Sequence, residues 1–281
     1  MMVLRKMMHL STTPWEVATS WLLIGAIFFA MRSCEFLQTT SREESKRTKI
    51  LRLRNVQFTL QGKILPHSHP QLEECDIVII TFEFQKNDTR DTQIHMFKTS
   101  DHLLNPVKAW AKTIQRVRGY PGASDDTTVC AFLDGDGFMT TIQSDQVRPR
   151  LRAMAAILGK AQLGFDPNEI GLHSLRSGGA MAMFLSGIST IVIRRIGRWS
   201  SEAFLEYIRE QVQDFTAGVA QKMLNYENFT NLSSNIVATT KVENNVVDKK
   251  DGPTPVPVAV QFSDLALDSD DNPRGRRKPR R

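Results

Sequence analysis

From Val17 to Met31 fifteen consecutive residues carry no charge, and most are strongly apolar. Glu16 precedes the run, and Arg32 and Glu35 follow it. A membrane span takes about 18–20 such residues, so the pattern predicts a buried core helix over 12–37. Ser11, Thr12 or Thr13 can cap that helix, and Pro14 suits its first turn. Residues 38–47 are polar and charged and predict a loop. Strand-like segments follow at Ile50–Phe58 and Asp76–Phe84, the latter rich in Val, Ile, Thr and Phe, and again at Thr92–Phe97. Between the last two lies Gln85-Lys86-Asn87-Asp88-Thr89-Arg90-Asp91, whose Asn and Asp tolerate the left-handed backbone of a hairpin turn. A small antiparallel sheet is expected.

From Asp101 the period changes. Leu103, Leu104, Val107, Trp110, Ala111 and Ile114 recur at spacings of three and four, which predicts a helix ended by Tyr120-Pro121-Gly122. Asp134-Gly135-Asp136-Gly137 reads as a plain turn, since it lacks the alternating ligands and distal Glu of a calcium loop. Further helices are predicted at about 143–160, 173–186, 189–197, 201–212 and 214–225. After Glu227 the chain becomes rich in Asn, Asp, Thr, Ser and Pro, the composition of a disordered linker. The expected organisation is therefore one globular domain over 1–226, mainly α with a small antiparallel β-sheet (α+β), followed by a flexible segment over 227–281.

Composition adds limits. With 41% hydrophobic and 23% charged residues the chain can build one sizeable core, which excludes collagen-like and wholly disordered classes. Cys34, Cys75 and Cys130 show no metal-like spacing, and no signal peptide precedes the domain. A reduced, intracellular protein is expected, with no metal, no cofactor and no membrane span. The net charge of +6 is uneven. Arg274, Arg276, Arg277, Lys278, Arg280 and Arg281 crowd the last eight positions, while 227–273 hold three basic and eight acidic side chains. That leaves +5 on residues 1–226, a modestly basic domain behind an acidic linker. The terminal cluster suits nuclear import or a nonspecific DNA tether.

The chemistry is concentrated in Gly171–Arg209, GLHSLRSGGAMAMFLSGISTIVIRRIGRWSSEAFLEYIR. His173 and Arg176 share a helix face, small residues follow at Ser177-Gly178-Gly179-Ala180, and Gly197-Arg198-Trp199 precedes Tyr207. Taken alone, Tyr207 among Phe204, Leu205 and Ile208 reads as a core tyrosine. The order His-x-x-Arg, Gly-x-Trp, Tyr resembles the tyrosine recombinase (phage integrase) family, and the surrounding residues look most like eukaryotic Crypton- and DIRS-type mobile-element recombinases. Two upstream features agree: Arg32-Ser33-Cys34-Glu35 matches the family's Arg-x-x-Glu at a helix end, and Lys86 occupies the inferred hairpin.

That resemblance implies the recombinase catalytic-domain fold and strand cleavage and rejoining on double-stranded DNA, without metal or cofactor, in a tetrameric synapse. Arg32 and Arg176 would meet phosphate charge through guanidinium forks. Tyr207 would attack phosphorus to give a 3′-phosphotyrosyl bond. Lys86 would protonate the leaving oxygen, His173 would assist proton transfer, and Trp199 would donate an indole N–H. Rival readings stay open: Lys86 as a solvated turn residue with Lys98 in its role, and Arg32 as the partner of Glu35 or another core acid. Arg194, Arg195 and Arg198 either touch the DNA backbone or are solvated, and His67 and His69 read as surface residues. The interval from Trp199 to Tyr207 is eight residues, where relatives commonly have nine. No room for the family's N-terminal DNA-clamping domain is expected before residue 12, which leaves affinity resting on nonspecific phosphate contacts. A type IB topoisomerase-like enzyme and a noncatalytic DNA-binding remnant are the alternatives.

Overall fold

A computed structural model of the chain describes residues 1–39, 49–84 and 90–201. Its first element, helix α1 (Met2–His9), has no counterpart in the sequence expectation. Eight residues are too few for a pattern search to separate from a tail, yet Val3, Leu4 and Met7 recur on one face and are buried. Helix α2 (Pro14–Phe28) begins where expected. Thr13 Oγ1 accepts the Glu16 N–H at 3.2 Å, and Glu16 Oε2 accepts the Thr13 N–H at 3.1 Å, a reciprocal capping box.

The expected helix over 12–37 is two helices rather than one. Helix α2 stops at Phe28, Ala30 takes a positive φ of 44°, and a single-turn helix α3 (Ser33–Phe36) follows. The apolar run never changes character at this break, because the residues on both sides are buried: Phe29, Ala30, Met31 and Phe36 have at most 1% exposure.

A four-stranded antiparallel sheet has the order β2-β1-β3-β4, from β1 (Val56–Leu60), β2 (Lys63–Leu65), β3 (Ile77–Phe82) and β4 (Thr92–Phe97). The expected strand Ile50–Phe58 is corrected at both ends. Residues Leu53–Asn55 form a 3-10 turn, and the ladder with β3 begins at Val56. A short hairpin through Gln61-Gly62, where Gly62 has φ 78°, then adds β2. Val56 lies opposite Ile80 and Phe58 opposite Val78. The inward positions Val56, Phe58, Val78, Ile80 and Phe82 are all buried, as period-two alternation requires.

Helix α4 (Pro106–Arg118) closes the core against α2 and the sheet. Its Trp110 is fully buried, edge-on to Phe29 with ring centroids 6.3 Å apart. The loop expected at Asp134–Gly137 is the turn of a two-stranded hairpin, β5 (Ala131–Leu133) and β6 (Met139–Thr141). Asp134 Oδ1 holds that turn by accepting the N–H groups of Asp136 and Phe138. Helix α5 (Ser144–Leu158), the short α6 (Lys160–Leu163), α7 (His173–Leu185) and α8 (Thr190–Gly197) complete the described chain. The helices expected at 201–212, apart from residue 201, and 214–225, and the whole of the segment expected to be flexible over 227–281, lie outside the described residues. Among the described residues no helix is long and apolar enough to cross a membrane.

Helix α7 meets α2 through a glycine. A Cβ at Gly179 would lie 2.5 Å from the backbone oxygen of Ile27, whereas one at the exposed neighbour Gly178 would meet nothing within 4 Å. In an open helical position Gly→Ala stabilises by up to about 1 kcal/mol, and overpacking costs about 1–3 kcal/mol. Gly178→Ala is therefore expected to raise the urea midpoint slightly and Gly179→Ala to lower it, with equal m-values. Opposite signs at adjacent residues would locate the α2–α7 contact in solution.

Candidate active site

The buried end of α2 sets the site. The last carbonyls of any helix lack intrahelical partners and carry its negative dipole end, and α2 has no basic residue in its last turn to meet them. Two arginines from distant segments donate to carbonyls at and just past that end. Arg176, on α7, donates from Nη1 to the Ala30 carbonyl at 2.6 Å and from Nη2 to the Gly197 carbonyl at 2.7 Å. Arg198, just past α8, donates from Nη1 to the Phe29 carbonyl at 3.1 Å and to the Ile196 carbonyl at 3.0 Å.

Glu35 anchors the second arginine. Its Oε2 accepts from Arg198 Nη2 at 2.6 Å and from the Arg32 backbone N–H at 2.8 Å, and its Oε1 accepts from Arg32 Nη1 at 3.0 Å. The side chains of Glu35 and Arg198 are 1% and 2% exposed, that of Arg32 23%. One buried carboxylate thus faces two guanidiniums. Burial pushes the Arg198 pKa down from the usual arginine range, and Glu35 opposes that shift. Its guanidinium also stacks on the ring of Phe82 at 3.6 Å, which brings the end of β3 into the site.

Gly197-Arg198-Trp199 makes this possible as a unit. Arg198 is left-handed, with φ 58° and ψ 45°, and caps α8; for a residue with a Cβ this costs about 1–2 kcal/mol. The turn folds Trp199 back so far that a Cβ on Gly197 would overlap its ring. The Trp199 ring centroid then lies 4.1 Å from the Arg176 guanidinium carbon, a cation–π contact.

His173 begins α7, one turn before Arg176, and reaches solvent. Protein packed around its ring disfavours the imidazolium, and the Arg176 and Arg32 cations add to this, so its pKa lies below the ordinary value. Cys34 sits in the same neighbourhood. Burial and then the Glu35 charge push its thiol up, outweighing Arg32 and Arg176, so it is not an activated nucleophile.

Four of the six residues singled out in the sequence therefore meet at one corner: Arg32, His173, Arg176 and Trp199. Lys86 and Tyr207 lie outside the described residues. Lys98, the substitute for Lys86, is held by Asp76 Oδ1 at 2.9 Å. Arg194 and Arg195 are exposed on α8, as either reading required. Arg198 corrects the expectation of a solvated or DNA-facing residue, because its left-handed backbone turns the side chain into the core. His67 is also more than a surface residue: Nε2 lies 2.6 Å from the Val56 carbonyl and Nδ1 3.1 Å from Arg118 Nη2. What sequence reasoning missed was Arg198 and its stacking partner Phe82. A signal existed in Glu35, a carboxylate beside a long apolar run, which needs a paired cation and hydrogen bonds if it is buried.

No protein-family model and no curated protein sequence matches the chain. Similar backbones occur among solved structures. The XerH site-specific recombinase bound to difH substrate, in a pre-cleavage complex, is 15% identical with a TM-score of 0.45, over 73% of this chain and 47% of that one. Its post-cleavage complex on palindromic difH gives 15% and 0.47, over 78% and 50%. The Tn1549 transposon integrase in complex with transposon right end DNA gives 10% and 0.42, over 76% and 63%. The chain spans about half the length of the XerH chains it matches.

A depressed His173 pKa has a defined sign. The unfolded chain binds a proton near pH 6.5 where the folded chain does not, so this group favours folding above that pH and loses its contribution on acidification through it. Titration of the His173 Cε1–H resonance is expected to give a midpoint below 6.5, and Arg32→Met to move it upward. A midpoint at or above the ordinary value would mean the two cations do not act on this ring.

Proposed function

We propose that the protein is a tyrosine recombinase-type enzyme that breaks and rejoins double-stranded DNA. The observation that carries this is the convergence of Arg32, His173, Arg176 and Trp199, from segments more than 140 residues apart in sequence, on the end of one buried helix. Cleavage of a phosphodiester places added negative charge on phosphate oxygens, which preorganised donors must meet. Arg32 offers the accessible fork, and Arg176 lies behind it as a second cation with Trp199 against its face. Tyr207 is assigned as nucleophile: its Oη forms a bond to phosphorus as the bond to the 5′-oxygen breaks. His173, neutral at pH 7, takes the phenolic proton, and Lys86 gives one to the leaving 5′-oxygen. The broken bond's energy is retained in the phosphotyrosine for rejoining.

We assign the catalytic unit to residues 1–226 and a nuclear site of action, with exposed Arg194 and Arg195 as phosphate contacts. A tetramer on DNA and a mobile-element origin of the Crypton or DIRS type belong to the same proposal. One observation favours a second reading, a noncatalytic DNA-binding remnant: Arg176 is 2% exposed, with both Nη groups donating to backbone carbonyls.

Incubation with a nicked suicide duplex in EDTA separates the two. The enzyme reading expects a denaturation-resistant protein–DNA adduct that Tyr207→Phe abolishes and that Arg32→Ala slows by about 10²–10³-fold. DNA retention without an adduct at any salt concentration would establish the remnant instead.

A further inference from the structure

Arg198 stands out among the charged side chains of α8 and its cap. Arg194 and Arg195 are exposed, whereas the Arg198 guanidinium is enclosed by Phe29 O, Ile196 O, Glu35 Oε2 and the Phe82 ring. It reaches no solvent-facing surface from which a DNA backbone could be touched, since its side chain is 2% exposed. It does share the Glu35 carboxylate with Arg32. Arg198 occupies Oε2 from the core side, so that Arg32 is held through Nη1 on Oε1 and its own backbone N–H on Oε2. Among the described residues Glu35 is the hydrogen-bonding partner of the Arg32 guanidinium.

We propose that Arg198 is a positioning residue for Arg32, acting through Glu35. Two guanidiniums on one carboxylate leave one unit of positive charge, and Arg32 is the member open to solvent. By satisfying Oε2, Arg198 fixes the carboxylate plane and keeps Glu35 from closing on Arg32 as a two-bond ion pair, the geometry a carboxylate and a guanidinium otherwise favour. The Arg32 fork therefore stays charged and directed outward, toward an anionic phosphate. This rests on the reading of Arg32 as a phosphate-binding group.

The test uses the full chain carrying Arg198→Met, Arg198→Lys, or Arg198→Met combined with Glu35→Gln. The readouts are thermal unfolding, the salt dependence of DNA binding, and the rate of adduct formation on suicide DNA. Folded Arg198→Met is expected to form adduct about 10- to 100-fold more slowly, as misplaced catalytic groups do. Its DNA affinity and salt slope should match those of the unaltered chain. Arg194→Ala, by contrast, should lower the slope by about one. Adding Glu35→Gln to Arg198→Met should restore much of the rate, because Arg32 then has no carboxylate to neutralise it. An unchanged rate in Arg198→Met, a shallower salt slope, or no recovery in the double variant would each overturn the proposal.

If Arg198→Met does not fold, Arg198→Lys takes its place. Lysine keeps the charge but lacks the planar fork that sets Nη1 on two carbonyls and Nη2 on Glu35, so a slower rate at equal affinity is expected, and an unaltered rate overturns the proposal. If the unaltered chain forms no adduct, the enzyme reading fails on its own. Arg198 is then judged by inorganic phosphate binding, followed through the Arg32 guanidinium ¹⁵N resonance. About tenfold weaker binding in the variant supports the positioning role, and equal binding removes it.

Discussion

Helix α2 ends inside the protein, and that single fact organises what surrounds it. The carbonyls at and just past its C-terminus belong to buried residues, Phe29 and Ala30, and its own sequence supplies no cation. Arg176 and Arg198 resolve this from two later segments by donating to Ala30 and Phe29. A buried helix end needs such partners, and the negative end of the dipole favours cations there. The cations bring a second requirement, since isolated buried charges are costly, and Glu35 meets it for Arg198 while also bonding Arg32. Arg176 instead stacks on Trp199. The contacts that close this helix end are thus also those that gather the candidate site.

The energies are of unequal sign. A left-handed arginine costs about 1–2 kcal/mol, and desolvating a guanidinium costs several more even after relaxation. Against these stand three hydrogen bonds and a ring face, closed around a side chain with almost no exposure. Removing one member of such a buried pair typically costs about 3–5 kcal/mol, whereas replacing the whole set by packed apolar groups is often neutral. The network is therefore a poor choice for stability alone. Its use lies in geometry: it fixes where α7, α8 and the α2–α3 corner stand relative to one another. Gly179 and Gly197 serve the same end, each omitting a side chain where a backbone oxygen or an indole ring must approach.

Much of this was legible in the pattern of residues, and the failures have physical causes. The strand Thr92–Phe97 was read correctly because alternation survives on a half-exposed strand. Helix α4 was read because its spacing of three and four is unambiguous. The break between α2 and α3 was invisible, since burial on both sides leaves no polar marker at the turn. Hairpins β1–β2 and β5–β6 escaped notice because three-residue strands are too short to display a period. Arg198 was placed outside because it stands at helical spacing from Arg194 and Arg195. The helix ends at Gly197 as expected, but the left-handed turn at Arg198 reverses the side chain.

By itself the sequence determined which residue types could perform the chemistry and in what order they occur, together with the class of the fold. Periodicity and residue chemistry are local properties, and they survive in a string of letters. Tertiary structure alone decided that Arg32, His173, Arg176 and Trp199 gather at the end of α2, and that Glu35 divides its two oxygens between one exposed and one buried arginine. Those relations depend on where chain segments up to 169 residues apart are brought together by packing. No local pattern encodes that distance, because it follows from burying one helix end and finding donors for the carbonyls left there.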